Sequence, residues 1–253
     1  MEQKQKKNTD DFIFGIRAVI EAVNSGKDLD KVMIKRGLKG ELVKELFDVL
    51  KENDIIYQTV PEEKLNRFTR KNHQGVIALI SPITFYELEE LVSLTFEKGV
   101  TPFFMMLDGV SDVRNFGALV RSAECSGVHG IIIPEKGSAR IGPDAVKTSA
   151  GALFKVPVCK TGSIKKAIQY MQNCGIRVFG ASEKTESTYF SEKYIDPVCM
   201  VMGSEDVGIS DEALRTCDQL VKIPILGEIE SLNVSVAASV LMYEVVRQRM
   251  NDN

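Results

Sequence analysis

The chain has 253 residues, enough for one large domain or two modest ones, with 44% hydrophobic and 26% charged residues in an ordinary globular balance. It holds no run of about 18 apolar residues, so no membrane helix is expected, and the polar start "MEQKQKKNTDDF" lacks the apolar stretch of a secretory signal. The net charge of −3 excludes the general basicity of many nucleic-acid binders and leaves local patches to decide binding.

Residues 1–11 read as a disordered tail. From Phe12, "FIFGIRAVIEAVNSG" spaces Ile16, Val19, Ile20 and Val23 as a helix, which Asn24-Ser25-Gly26 stops. A strand is expected at 31–37, then an amphipathic helix at 40–55 with Leu42, Leu46, Val49 and Leu50 on one face. A strand at 55–60, a short helix to Phe68 and a strand at 75–80 follow. Residues 12–81 thus form a small α/β domain near the lower size for independent folding. Residues 1–80 carry 15 Lys/Arg against 13 Asp/Glu, and the remainder 17 against 22, a weak asymmetry of +2 and −5. One local patch stands out. "RFTRKNHQG" (67–75) gathers Arg67, Arg70, Lys71 and His73, either as a solvated turn or as a grip on phosphates.

Pro82 and Pro102 bracket an amphipathic segment, 82–101, which reads as a linker or the start of the next domain. The rest, 102–253, alternates regularly. Strands are expected at 103–110, 130–134, 156–160, 177–182, 197–203 and 220–225, with helices at 115–127, 142–153, 163–175, 210–218 and 233–250. Short apolar strands separated by helices imply a parallel sheet covered on both faces. The five cysteines are scattered without a C-x-x-C pair, as in reduced core thiols of a cytoplasmic protein, and two histidines make a metal site a poor expectation.

In parallel α/β sheets, ligands gather at the carboxyl ends of strands. Three such ends carry more polarity and glycine than a turn needs: "DGVSDVRNFGALVRSAE" (108–124), "MGSEDVGIS" (202–210) and "IPILGEIESLNVS" (223–235). In the first, Asn115 opens a helix on which Arg121 and Glu124, three residues apart, share a face and are close enough to pair. A helix cap and an ordinary surface ion pair would explain the same residues. In the second, Gly203 and Gly208 permit close backbone approach or positive φ, while Glu205 and Asp206 would repel a phosphate. The G-x-G-x-x-G and G-x-x-x-x-G-K-S/T fingerprints are absent, which weakens a dinucleotide enzyme or a P-loop NTPase. In the third, Ser231, Asn233 and Ser235 exceed what one cap requires and could present hydroxyl and amide groups to a ligand.

Together, "NFGALVRSAECSG", "MGSEDVGIS" and "IPILGEIESLNVSVAASVLMYEVVRQR" resemble, in order, the three motifs of the SpoU (TrmH-type) family of RNA ribose 2′-O-methyltransferases within the SPOUT superfamily. "FGIRAVIEAV" and "HQGVIALI" resemble the opening and closing parts of that family's small α/β RNA substrate-binding domain. The resemblance covers nearly the whole chain and lies nearest the bacterial type that methylates guanosine in 23S rRNA.

The resemblance implies a C-terminal catalytic domain with a parallel sheet and a trefoil knot, a topology that ordinary chain-connection rules disfavour. It also implies a homodimer and S-adenosylmethionine as cofactor, contacted by Gly203, Ile223 and Leu232. For the chemistry it points to Asn115, Arg121, Glu124, Glu205, Ser231 and Asn233. The family gives the proton of the ribose hydroxyl to the arginine matching Arg121; a guanidinium is a poor base, so orientation of the hydroxyl or an adjacent phosphate is its expected role. The implied partner is RNA, without DNA or membrane. Transfer RNA as substrate, a non-catalytic ribosome-assembly factor and a different α/β cofactor enzyme stand as alternatives.

Overall fold

Strand and helix lengths follow the side-chain patterning, and two structural units result. The computed structural model describes residues 12–53 and 55–251; the expected tail lies outside them. The first unit comprises the residues up to Thr84 with 141–143, and the second the remainder.

The first unit has a four-stranded sheet in the order β1-β4-β2-β3, from β1 (Phe12–Phe14), β2 (Leu29–Lys35), β3 (Tyr57–Val60) and β4 (Val76–Ile80). Alternation along the strands feeds two cores. Val32, Ile34, Val76 and Ala78 pack with Val19, Ile20 and Val23 of α1 (Ile16–Asn24) and Val43, Leu46 and Leu50 of α2 (Glu41–Glu52). Met33, Ile77 and Leu79 face the other way, to Phe12, Val60 and Leu65, the last on α3 (Glu62–Asn66). The expected helix from Phe12 therefore begins later. Phe12 and Phe14 pair with β4 as a strand, and Gly15 at φ 94° turns the chain before α1 starts.

The second unit contains one sheet of seven strands, all parallel, in the order β11-β9-β10-β6-β7-β8-β5. They are β5 (Phe85–Tyr86), β6 (Phe103–Asp108), β7 (Gly130–Pro134), β8 (Val158–Thr161), β9 (Arg177–Ala181), β10 (Val198–Gly203) and β11 (Gln219–Val221). The intervening helices are α4 (Leu88–Glu97), α5 (Val113–Cys125), α6 (Pro143–Thr148), α7 (Ile164–Asn173), α8 (Asp211–Thr216) and α9 (Val234–Asn251). Phe104, Met106, Cys199 and Val201 pack on one face with residues of α4, α7 and α8. On the other face, α9 packs on β10 and against α5.

Four expectations change. The segment 82–101 is not a linker: Phe85 and Tyr86 add an edge strand to β8, and Leu88, Leu91 and Val92 of α4 enter the core. The helix expected over 142–153 stops at Thr148, because Ala150 and Gly151 take φ of 51° and 83°, and a single 3₁₀ turn follows. The strand expected to run to 225 ends at Val221, three residues before Pro224, which cannot donate to a sheet. Helix α5 starts at Val113 rather than Asn115, because the Asp112 carboxylate accepts hydrogen bonds from the N–H groups of Arg114 and Asn115 at 2.8 and 2.9 Å.

Candidate active site

The site begins with a register. β6 and β10 are adjacent and parallel, and their last residues, Asp108 and Gly203, are paired across the sheet. The loops that leave them therefore start side by side at the carboxyl edge. Asp108 holds the second loop, accepting the Ser210 N–H at 2.8 Å. Gly203 is a position only glycine can fill: an added Cβ would lie 2.0 Å from the carbonyl carbon of Gly208 and 2.1 Å from the Ile209 nitrogen. The loop between them closes by hydrogen bonds between Ser204 and Gly208, with Gly208 at φ 73°.

From the far edge of the sheet, residues 222–233 return to this place. Asn233 caps α9, its Oδ1 accepting the Ser235 N–H at 3.0 Å and the Ser235 hydroxyl at 2.6 Å. Its Nδ2 donates to Asn115 Oδ1 at 2.9 Å and to Glu205 Oε1 at 2.7 Å. One residue from each of the three polar stretches thus meets at a single amide. Glu205 also lies at the N-terminus of an 18-residue helix, where a negative charge is favoured. Further along, Ser239 Oγ donates to Ser122 Oγ at 2.8 Å and fastens α9 to α5.

The other expected residues are placed less directly. Arg121 is exposed on α5, and its guanidinium has no partner among the described residues. It does not pair with Glu124, as its spacing suggested; Glu124 Oε1 takes Lys155 Nζ at 3.1 Å instead. Ser231 is exposed and bonds to nothing among the described residues. The backbone of 223–232, which includes Ile223 and Leu232, makes no hydrogen bond to the described residues. The same stretch exposes Ile225, Leu226, Ile229 and Leu232. Free backbone donors and acceptors beside apolar side chains fit an adenosine-bearing cofactor, and the neighbouring Glu205 and Asp206 disfavour one that carries phosphates.

Three of the thiols and one imidazole are withdrawn by burial. Burial pushes the Cys159 and Cys217 thiols up to about 12 and Cys199 well above its ordinary value. His129 lies at the amino end of the sheet, accepting the Phe103 N–H, and burial lowers its pKa. In the first unit, Arg67, Arg70 and Lys71 are exposed, whereas His73, expected beside them as an RNA contact, is not. It is buried, with Nδ1 accepting the Gly75 N–H at 3.0 Å and Nε2 against Asn66 Oδ1 at 3.1 Å. Those two bonds hold the loop in shape. Asp112, Ser122 and Ser239 escaped the sequence reading; Asp112 carried a signal, since an Asp ahead of an apolar-periodic run marks a helix start.

Comparison with known proteins decides the family. The profile of the SpoU rRNA Methylase family matches residues 102–243, and that of RNA 2′-O ribose methyltransferase substrate binding matches residues 12–86. The chain belongs to the SpoU rRNA Methylase family. This SpoU methylase is 36% identical over 240 residues to a protein of Staphylococcus haemolyticus named for the TrmH family of tRNA/rRNA methyltransferases, covering 95% of this chain and 96% of that one. A similarly named protein of Bacillus subtilis, YacO, is 34% identical over 94% of this chain and 96% of its own. The crystal structure of the SpoU methyltransferase AviRb from Streptomyces viridochromogenes, in complex with AdoMet, shares the fold. It superposes with a TM-score of 0.60 at 23% identity, over 95% of this chain and 90% of that one. The SpoU methylase is an RNA methyltransferase with the α/β SPOUT fold, a small substrate-binding unit preceding the parallel-sheet unit.

Proposed function

We propose that this SpoU methylase transfers a methyl group from S-adenosylmethionine to the ribose 2′-hydroxyl of a guanosine in 23S rRNA, acting as a cytoplasmic homodimer. The observation that carries the site is the Asn115–Asn233–Glu205 network, which joins all three motifs at the ends of β6 and β10. The choice of ribosomal RNA rests on the layout, a substrate-binding unit ahead of the catalytic one, and on a catalytic profile described as an rRNA methylase. Among the described residues no helix is long and apolar enough to cross a membrane. Support for the dimer comes from α9, which leaves Val236, Tyr243 and Met250 exposed.

Bound S-adenosylmethionine supplies an electrophilic methyl on a sulfonium. The chain's task is then to hold and align. Gly203, Ile223 and Leu232 hold the cofactor, chiefly through backbone groups left free along 223–232. Asn233 and Glu205 keep that wall fixed at the head of α9. Arg121 orients the 2′-hydroxyl or its neighbouring phosphate through its guanidinium donors. Glu124 and Ser231 complete the rim.

The test is transfer of labelled methyl from S-adenosylmethionine to total RNA of a strain lacking the protein, with nuclease-resistant 2′-O-methyl linkages mapped. One labelled guanosine in 23S rRNA is expected. Arg121→Lys is expected to cut transfer at least about 100-fold without altering thermal unfolding, since Arg121 is exposed and its guanidinium holds no other part of the described chain. Near-normal turnover in that variant would remove Arg121 from the reaction. Label in transfer RNA would keep the chemistry and overturn the substrate, and absence of both label and cofactor binding would leave an assembly factor.

A further inference from the structure

The small unit holds a depression of about 430 Å³, in the range of small-ligand sites, whose wall includes Lys35, Glu62, Asn66, Lys71, Asn72 and Gln74. Three of these side chains are carboxamides, and in each the oxygen is hydrogen-bonded elsewhere. Gln74 Oε1 accepts the Ile16 N–H at 3.0 Å, and Asn72 Oδ1 accepts the Gln74 N–H at 3.3 Å. Because His73 Nδ1 accepts the Gly75 N–H, its proton sits on Nε2 and is donated to Asn66 Oδ1 at 3.1 Å. Every amide oxygen is thus committed to holding the loop. Every amide NH₂ is left without a partner among the described residues. The Lys71 ammonium adds another donor. The carboxylate of Glu62 gives one oxygen to the Lys35 ammonium and keeps the other.

We propose that this depression takes one unpaired guanine of the RNA substrate, an inference that rests on the RNA-methyltransferase reading above. Guanine carries two acceptors, O6 and N7, side by side on one edge, and its N2 amino group and N1–H as donors on another. Three NH₂ groups suit the first edge and the free oxygen of Glu62 suits the second. Adenine sets its N6 amino group beside N7 and would oppose one donor with another. A phosphate would welcome the donors but meet the Glu62 charge. Sequence-specific RNA recognition acts on splayed-out bases of this kind.

The experiment uses the full-length protein, labelled with ¹⁵N, and follows the side-chain NH₂ signals of Asn66, Asn72 and Gln74. It is titrated with guanosine, adenosine, cytidine and uridine 5′-monophosphates and with inorganic phosphate. The guanosine nucleotide is expected to move all three signals with a Kd at least about tenfold below that of the adenosine nucleotide, and inorganic phosphate is expected not to displace it. Asn72→Asp and Gln74→Glu each keep the oxygen that the loop uses and replace the free donor by an acceptor. Both are expected to fold normally and to lose the preference, as is Glu62→Gln. Equal responses to all nucleotides and phosphate, no response at all, or an unchanged preference in Asn72→Asp would each overturn the proposal. Methyl transfer by the same preparations separates the two readings. Transfer without guanine preference overturns the pocket alone; guanine preference without any transfer overturns the function and leaves a guanine site.

Discussion

Asn233 does at one position what two residues usually share. Its oxygen caps α9 while its nitrogen ties Asn115 to Glu205, so stability and site geometry depend on different atoms of one amide. The two can be separated. Asn233→Asp keeps a good cap oxygen but sets a second carboxylate where Nδ2 now lies 2.7 Å from Glu205 Oε1. The expected outcome is a thermal midpoint within about 2–4 °C of the parent and a fall in methyl transfer of about 100-fold. Calorimetry beside the transfer assay checks this; normal transfer would detach the network from the chemistry. This residue's importance was legible in the sequence, because three polar side chains in "SLNVS" exceed a cap. Its partners were not. Asn115 and Glu205 are separated from it by 118 and 28 residues, and only the sheet register brings them together.

At the scale of elements, the end of α9 works as a clamp. The Arg249 guanidinium donates to the carbonyls of Thr101, Pro102, Tyr194 and Asp196, and Gln248 bonds both Glu192 O and the Tyr194 N–H at 2.8 Å. Buried Glu244 orders this end, taking Arg247 Nε and Nη2 at 2.8 and 2.7 Å and Gln248 Nε2 at 2.8 Å. The Arg247 bonds hold its carboxyl below the usual carboxylate range. A group whose folded pKa is depressed stabilises above its ordinary value and loses that contribution as pH falls through the depressed one. Glu244→Gln is therefore expected to lower the thermal midpoint by about 2–4 °C at neutral pH, with the gap to the parent closing as pH falls below about 4.3. A gap independent of pH would show that the charge is irrelevant. Apart from the short strands β1 and β5, the elements were foreseen in type. Their ends were not, because a cap by Asp112, a positive φ at Ala150 and the missing donor of Pro224 each act within one residue.

For the whole molecule, the charge that matters is local. A chain of net charge −3 presents exposed Arg67, Arg70 and Lys71 on one loop of the small unit. Arg67→Glu with Arg70→Glu is expected to weaken RNA binding and to flatten its dependence on log salt by about 0.7 for each phosphate that the loop no longer neutralises on single-stranded RNA. Methyl transfer at saturating RNA should change little. An unaltered salt slope in filter binding would mean that these arginines face solvent in the complex as well.

By itself the sequence determined the α/β class, the parallel sheet, the family and the polar stretches, because these follow from short-range periodicity and from contiguous motifs. The tertiary structure alone decided which of those residues meet. Strand order puts β10 beside β6 although the chain between them runs through β7, β8 and β9, and a register of paired ends aims both loops at one amide. It also parted Arg121 from Glu124, gave the latter to Lys155 and buried His73 inside the loop it was expected to decorate. Spacing along one helix says which side chains can touch; the competing partner from another element, and the burial around each, are set only when the whole chain has packed.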